Sequence, residues 1–314
     1  MKRLLVLGPL LFVGAAAAAG PAFDYALQPE RVAADVYVFV GRNEDFTAVN
    51  GGNIVNTGFI VGNDRLLVID TGPSLRYGQQ MRRAIAVVDG RPPLQVFNTH
   101  HHPDHFLGNQ AFAGTPIVAL DATRQGIAAA GNAFAENLYR LSGDWMRGTE
   151  AIAPGTTIVP GTVKLGGRPL RLLALSGHTA ADLAIYDETS GVLFAGDLVF
   201  NGRAPTTPHA RIADWLAALD TLEAITREAG FTVLVPGHGA IARDAAPIRQ
   251  TRAWLHFLVQ SMQEAAAAGL DMNEVLARPL PAEFAALALG ASEYRRSVSH
   301  LFPAAEQEAL GHAH

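Results

Sequence analysis

Leu94-Gln95-Val96-Phe97-Asn98-Thr99-His100-His101-His102-Pro103-Asp104-His105-Phe106-Leu107-Gly108 is the stretch on which the fold turns. It opens as an apolar strand over residues 94–98. It then sets three imidazoles and a carboxylate, those of His100, His102, Asp104 and His105, within six residues. Neutral imidazole nitrogen and carboxylate oxygen are good zinc ligands, and zinc accepts four or five of them. Where a turn leaves a strand, alternate side chains point the same way, so His100 and His102 can share one ion. Pro103 restricts the turn. Asp104 and His105 then face a second position, where a helix is expected from about residue 104. His101 lies between two ligands and is expected to point elsewhere.

Three more candidates follow. His178 stands in Ser176-Gly177-His178-Thr179, Asp197 in Ala195-Gly196-Asp197, and His238 in Pro236-Gly237-His238-Gly239. Each follows a short apolar run, over 170–175, 192–195 and 232–235. All four clusters are therefore expected just past the C-terminal ends of strands, where α/β folds gather functional groups. The flanking small residues let the backbone approach closely. Any one of these residues alone reads as well as a loop histidine or aspartate. Five of the chain's 11 histidines in this pattern do not.

The rest of the chain alternates strand and helix patterns. Strands are expected at 37–40, 53–61, 66–70, 116–119, 157–164 and 183–186, and helices at 75–88, 122–146 and 212–229. The chain is mostly helical from about 242. Two halves, each a mixed sheet with helices outside, account for this order, although the pattern alone allows different α/β arrangements.

The run from Thr99 to Gly108, with the later Gly-His, Gly-Asp and Gly-His elements in order, resembles the metallo-β-lactamase superfamily. Val68-Ile69-Asp70-Thr71-Gly72 resembles the Asp-bearing turn that precedes its His-rich motif. The resemblance covers roughly residues 36–239. It implies a four-layer αβ/βα sandwich, here with a C-terminal helical extension. It implies His100, His102 and His178 on one metal, Asp104, His105 and His238 on the other, and Asp197 bridging. Asp70 then stands behind the ligands, or simply caps its turn. Asn50-Gly51-Gly52-Asn53, Asp70-Thr71-Gly72-Pro73-Ser74 and Asn201-Gly202-Arg203-Ala204-Pro205 resemble more narrowly the exported zinc metallohydrolases of quinoprotein relay systems and their sulfur-oxidation relatives. That implies a setting beside periplasmic quinoprotein dehydrogenases.

The chemistry expected is hydrolysis at two Zn2+ ions. Ions about 3.5–4 Å apart share a hydroxide that attacks a carbonyl carbon, while Asp104 orients it and takes its proton. Thioesters, lactones and related esters or amides are the expected substrates. Asp197 stands where the β-lactamases of the superfamily usually carry Cys or Ser, which makes a dedicated β-lactamase the lesser reading. The same residue types also allow a mononuclear iron persulfide dioxygenase, which uses fewer of these ligands, or a non-catalytic metal-dependent carrier. Arg203 and His209 could rim the pocket, and Phe46 could belong to a loop above it. Trp215 reads as core. Trp254, His256 and Phe257 could wall the pocket or mediate dimerisation, while His312 and His314 read as incidental.

Composition agrees. With 49% hydrophobic and 17% charged residues the chain has an ordinary globular balance, and its net charge of −5 argues against a nucleic-acid partner. Lys2 and Arg3, the apolar stretch 4–13 and the alanines at 15–19 follow the order of a secretory signal peptide. The expected layout is a leader over 1–19 and one domain over 20–314, with a periplasmic or secreted location. Loss of Lys2 and Arg3 takes the charge from −5 to −7. Absence of cysteine fits an oxidising compartment and removes thiolate as ligand or nucleophile. A small-molecule substrate and no membrane contact after leader removal complete the expectation.

Overall fold

A computed structural model describes residues 23–311; the leader expected over 1–19, with His312 and His314, lies outside the described residues. The first sheet has seven strands in chain order: β1 (Glu30–Ala33), β2 (Val36–Phe39), β3 (Thr57–Val61), β4 (Leu66–Ile69), β5 (Pro93–Phe97), β6 (Ile117–Ala119) and β7 (Thr156–Thr157). It is antiparallel through β4 and parallel from β4 to β7. Helices α1 (Leu75–Val88), α2 (Pro103–Phe106) and α3 (Asp121–Ser142) join its parallel strands. The second sheet runs in the order β12-β11-β10-β9-β8, from β8 (Gly161–Leu165), β9 (Arg168–Leu175), β10 (Asp182–Asp187), β11 (Val192–Asn201) and β12 (Val233–Gly239). Helix α4 (Ile212–Thr226) connects β11 to β12, and α5 (Ala246–Ala267), α6 (Met272–Ala277), α7 (Ala282–Ala285) and α8 (Gly290–Gly311) follow.

Side chains alternate across a strand, and that alternation builds the layers. Ile60, Leu67, Ile69 and Phe97 turn inward to meet Leu172, Ile185, Phe194 and Val235 of the second sheet. Phe59, Leu66, Val68 and Val96 turn outward onto Tyr77, Met81 and Ile85 of α1. On the far side, Leu193, Ala195 and Leu234 pack under Trp215 and Leu219 of α4, Trp254 and Leu258 of α5, and Val298 and Phe302 of α8. Helices, sheet, sheet and helices make the four layers expected, and the C-terminal helices close the last one. Trp215 is core, as expected.

The ends of several elements differ from expectation. Helix α1 matches over 75–88, with Ser74 accepting the Tyr77 amide as its N-cap. The strand expected over 53–61 begins only at Thr57, because Asn56 turns its amide to Gly41, Pro236 and Gly239. The strand expected over 157–164 is two. Thr156–Thr157 joins the first sheet and Gly161–Leu165 the second, with Pro160 breaking the ladder between them. The helix expected from residue 104 is a single turn, Pro103–Phe106, followed by a 3-10 turn over Asn109–Phe112. At Gly108 the chain lies so close to Thr71 that a Cβ would stand 2.0 Å from the Thr71 carbonyl oxygen. Helix α3 stops at Gly143, with a 3-10 turn covering Gly143–Met146.

One correction bears on the site. Asp197 and His238 do not lie past the ends of their strands; both lie within β11 and β12. The pairing between these strands slips twice, between Phe194 and Gly196 and between Gly196 and Phe200. Such irregularities re-aim side chains, here toward the end of the sheet where β9 releases His178. Among the described residues, no helix is long and apolar enough to cross a membrane.

Candidate metal centre

The turn after β5 and the first turn of α2 deliver His100, His102, Asp104 and His105. The turn after β9 delivers His178, and the irregular stretches within β11 and β12 deliver Asp197 and His238. These seven converge as two groups, His100, His102, His178 and Asp197, and Asp104, His105 and His238. Within each group the candidate ligand atoms lie within 4.8 Å of one another. Asp197 touches both. Its Oδ2 stands 3.4 Å from His178 Nε2 and 3.1 Å from His238 Nε2, and its Oδ1 stands 3.1 Å from His105 Nε2. Asp104 Oδ2 lies 3.4 Å from His238 Nε2 and 3.8 Å from His105 Nε2. Gly237 makes room for this arrangement, since a Cβ there would stand 1.9 Å from Asp197 Oδ1.

Hydrogen bonds on the outer nitrogens orient the rings. His105 Nδ1 donates to Asp70 Oδ2 at 2.8 Å, and the Thr99 amide and hydroxyl donate to the same carboxylate at 2.8 Å each. Asp70 thus stands behind the candidate ligands, in a left-handed conformation at φ 56. His238 Nδ1 donates to the Ile54 carbonyl at 2.7 Å. His102 Nδ1 lies 2.8 Å from His178 Nε2, while its Nε2 lies 2.8 Å from His209 Nδ1. Asp182 accepts the Thr179 amide and hydroxyl, at 3.0 and 2.8 Å, and so holds the turn that presents His178.

The inner atoms are left without such partners. His100 Nε2 is buried with no hydrogen-bond partner among the described residues, and the buried His105 Nε2 and Asp197 Oδ1, 3.1 Å apart, meet as an ion pair without an aligned hydrogen bond. Orphaned polar atoms of this kind are costly unless something satisfies them. Cations held by the two groups would satisfy these atoms, and a set of imidazole nitrogens and carboxylate oxygens suits zinc. The residues therefore fit the metal that the sequence implies.

Electrostatics separates the histidines. Burial, reinforced by the neighbouring His105, holds His100 well below the usual histidine range, and burial with His178 does the same to His102. Burial brings His178 down to about 3. His105 goes the other way. Burial opposes its protonation, but the carboxylates of Asp197, Asp70 and Asp104 together outweigh it and hold the ring well above the usual range. Burial likewise opposes the charge on Asp197, yet His238 and His105 keep that carboxylate well below its usual value. Asp182 is pushed up to about 7 by burial.

A cavity of about 180 Å3 opens onto the group. His102, Asp104, Asp197 and His238 line it, together with the apolar Phe46, Ile54, Phe134 and Leu138. Arg203, Thr206, His209 and Arg296 are among its polar lining. Arg203 is buried, and its Nη1 donates to the Glu44 carbonyl at 3.0 Å. Its guanidinium also lies 3.1 Å from His238 Nδ1, whose proton is given to Ile54, so it acts there as a neighbouring charge. A roomier surface groove of about 490 Å3, between residues 120–122 and α4, touches none of the seven residues.

Arg203, His209 and Phe46, the residues expected at the rim, all line the cavity. His101 stays outside both groups and meets His102 and His209 instead. Trp254 and Phe257 pack in the C-terminal helices, His256 is exposed, and none of the three lines the cavity. The C-terminal helix contributes Arg296 instead, which sequence reasoning missed. Phe134 and Leu138 were missed too, because nothing in the alanine-rich pattern of α3 marks the face that meets the cleft.

The chain matches the metallo-beta-lactamase superfamily over residues 50–260, and it belongs to that superfamily. It is similar to the acyl-coenzyme A thioesterase MBLAC2 of Bos taurus, at 26% identity over 208 residues, covering 60% of this chain and 74% of the relative. It also resembles a hydroxyacylglutathione hydrolase of Synechococcus sp. (strain JA-3-3Ab), at 31% identity, covering 42% of this chain and 45% of that one. Among solved structures, a metallo-beta-lactamase from Pontibacter korlensis superposes with a TM-score of 0.59 at 23% identity, over 73% of this chain and 99% of the other. That likeness is one of fold.

Proposed function

We propose that this protein is a dinuclear zinc hydrolase that cleaves thioesters or closely related carbonyl esters. The observation that carries the proposal is the shared carboxylate of Asp197, set between two groups of buried ligand atoms, among them His100 Nε2 with no hydrogen-bond partner among the described residues. His100, His102, His178 and Asp197 would hold one zinc ion and Asp104, His105 and His238 the other, and zinc bound there would supply Lewis acidity toward a substrate carbonyl and lower the pKa of a water. Asp104, facing the cavity beside His238, is placed to hold that water and take its proton. Phe46, Phe134 and Leu138 receive the apolar part of the substrate and keep bulk water out. Arg203 adds positive charge next to the reacting groups, which favours an anionic substrate or intermediate. Likeness to a thioesterase and a glutathione thioester hydrolase favours a thioester over a lactam. Export with residues 1–19 as leader, a single domain beyond them, and a working place beside quinoprotein dehydrogenases belong to the same proposal and rest on the sequence alone.

The test is metal analysis of purified protein with a panel of acyl-coenzyme A, glutathione thioester, lactone and cephalosporin substrates. Two zinc ions per chain and preferred thioester turnover are expected. Asp104→Asn should lower turnover by at least about 10²-fold, the lower range for lost general-base catalysis, with folding verified by circular dichroism. One iron per chain with oxygen consumption would overturn the proposal in favour of a dioxygenase. Preferred cephalosporin turnover would point to a β-lactamase. Binding without turnover, unaltered in Asp104→Asn, would make it a carrier.

A further inference from the structure

His209 is exposed and lies in the connection between β11 and α4, 107 residues from His102 in the chain. Its Nδ1 nevertheless stands 2.8 Å from His102 Nε2, which is hydrogen-bonding distance. Only one of the two facing nitrogens can carry the proton. His102 Nδ1 faces the site, 2.8 Å from His178 Nε2, and a nitrogen that binds a cation must present a lone pair. The His102 proton therefore belongs on Nε2, and His209 Nδ1 is its acceptor. We propose that His209 is a positioning residue, which fixes His102 in the tautomer that presents Nδ1 to the metal. This rests on the zinc site proposed above.

The loop that carries His209 is tied at both ends. Thr207 Oγ1 meets Ser297 Oγ of α8 at 2.8 Å, both buried, and the Arg211 amide donates to the Gly177 carbonyl, in the turn that presents His178, at 2.8 Å. The Ala210 amide closes the turn onto the Thr207 carbonyl at 2.9 Å. Helix α8 lies beyond residues 50–260, over which the chain matches its superfamily. The C-terminal extension thus fixes the loop that orients a candidate ligand. Partners on the outer nitrogen of a ligating histidine set its tautomer and basicity, and their loss commonly costs about 10–100-fold in metal affinity.

The experiment is a zinc titration of the full-length apoprotein against a chromophoric chelator, with wild type, His209→Ala and His209→Asn. The Asn amide oxygen can stand where Nδ1 stands and accept the same proton. His209→Ala is expected to weaken one of two zinc ions by about 10–100-fold while the other holds, and His209→Asn is expected to recover most of that loss. The cobalt(II)-loaded protein should show an altered d–d spectrum in His209→Ala alone. The positioning role is overturned if His209→Ala binds both ions as wild type does, or if His209→Asn is as weak as His209→Ala. It is also overturned if wild type takes three ions and His209→Ala only two. His101, His102 and His209 would then hold a cation of their own, with His102 Nε2 as ligand rather than donor. His102→Ala separates this from the parent reading: if it loses no zinc, the metal centre itself is misassigned, and the positioning role falls with it.

Discussion

The metal centre has a deep side and an open side, and they hold their histidines by different means. On the deep side His105 gives its outer proton to Asp70 and His238 gives its own to the Ile54 carbonyl, and every one of these groups is buried. On the open side His102 leans on the exposed His209, and His178 Nδ1 has no partner among the described residues. Charge divides the same way. The carboxylates of Asp197, Asp70 and Asp104 surround His105, whereas His102 and His178 have Asp197 as their carboxylate neighbour and several imidazoles besides. His105 and His238 take their outer partners from buried groups next to the sheets, whereas His102 takes its partner from a loop that α8 ties down. Geometry that must not vary is built into the core.

Asp197 belongs to both sides, so its loss should have the largest effect. Asp197→Ala removes the oxygen near His178 and His238 and the oxygen near His105 together. Zinc content should fall from two ions to fewer than one, and hydrolysis should fall by more than about 10²-fold, beyond the range for a residue behind the ligands. Metal analysis with steady-state kinetics measures both. If one ion remained tightly bound, the two groups would be independent and the bridging role would be lost.

Asp70→Ala should sharpen the division. It strips His105 of its partner and leaves the Thr99 amide buried with an empty acceptor position. The deep ion should weaken by about 10–100-fold while the open ion holds. The apoprotein should also lose about 1–3 kcal/mol from the unsatisfied amide. Zinc titration and urea unfolding of the apoprotein read the two effects separately. Equal weakening of both ions would contradict the division into two sides.

What the sequence revealed divides along the same line. The four candidate ligands from His100 to His105 are consecutive or nearly so, and local geometry alone puts them together. The later three were legible because each follows an apolar run and has small flanking residues, and Gly237 shows what the small residues do, since a Cβ there would meet the Asp197 carboxylate. The extension of β11 and β12 past these residues was not legible, because slipped pairing depends on the neighbouring strand and not on the strand's own residues. Residues 157–164 were misread for the opposite reason, since a β-branched run hid the break at Pro160. The open side was the least legible. Arg296 reaches the cavity from α8, and Ser297 beside it ties down the loop that carries His209. Helical periodicity marks apolar faces, and a polar side chain that meets a cleft carries no such mark.

Glu293 offers the smallest and most specific test of the open side. It is fully buried on α8, accepts a hydrogen bond from Arg296 Nη1 at 2.8 Å, and has the Thr206 side chain as a further polar neighbour. Burial raises its pKa above the usual glutamate value, although Arg296 and Arg203 pull against that shift. The folded protein therefore holds this proton more tightly than the unfolded chain does. Its contribution to stability is complete below the unfolded glutamate range, about pH 4.3, and is lost as pH rises through the raised value. Glu293→Gln cannot ionise and keeps an oxygen for Arg296, so its stability should decline less with pH over the interval above about pH 4.3. Urea unfolding at several pH values, on apoprotein so that metal binding does not enter, compares the two slopes. Asp70→Ala leaves Glu293 in place and should keep the wild-type slope in that interval. Parallel slopes for wild type and Glu293→Gln would mean that the paired guanidiniums already balance this carboxylate, and that the open side stores no cost in its buried charge.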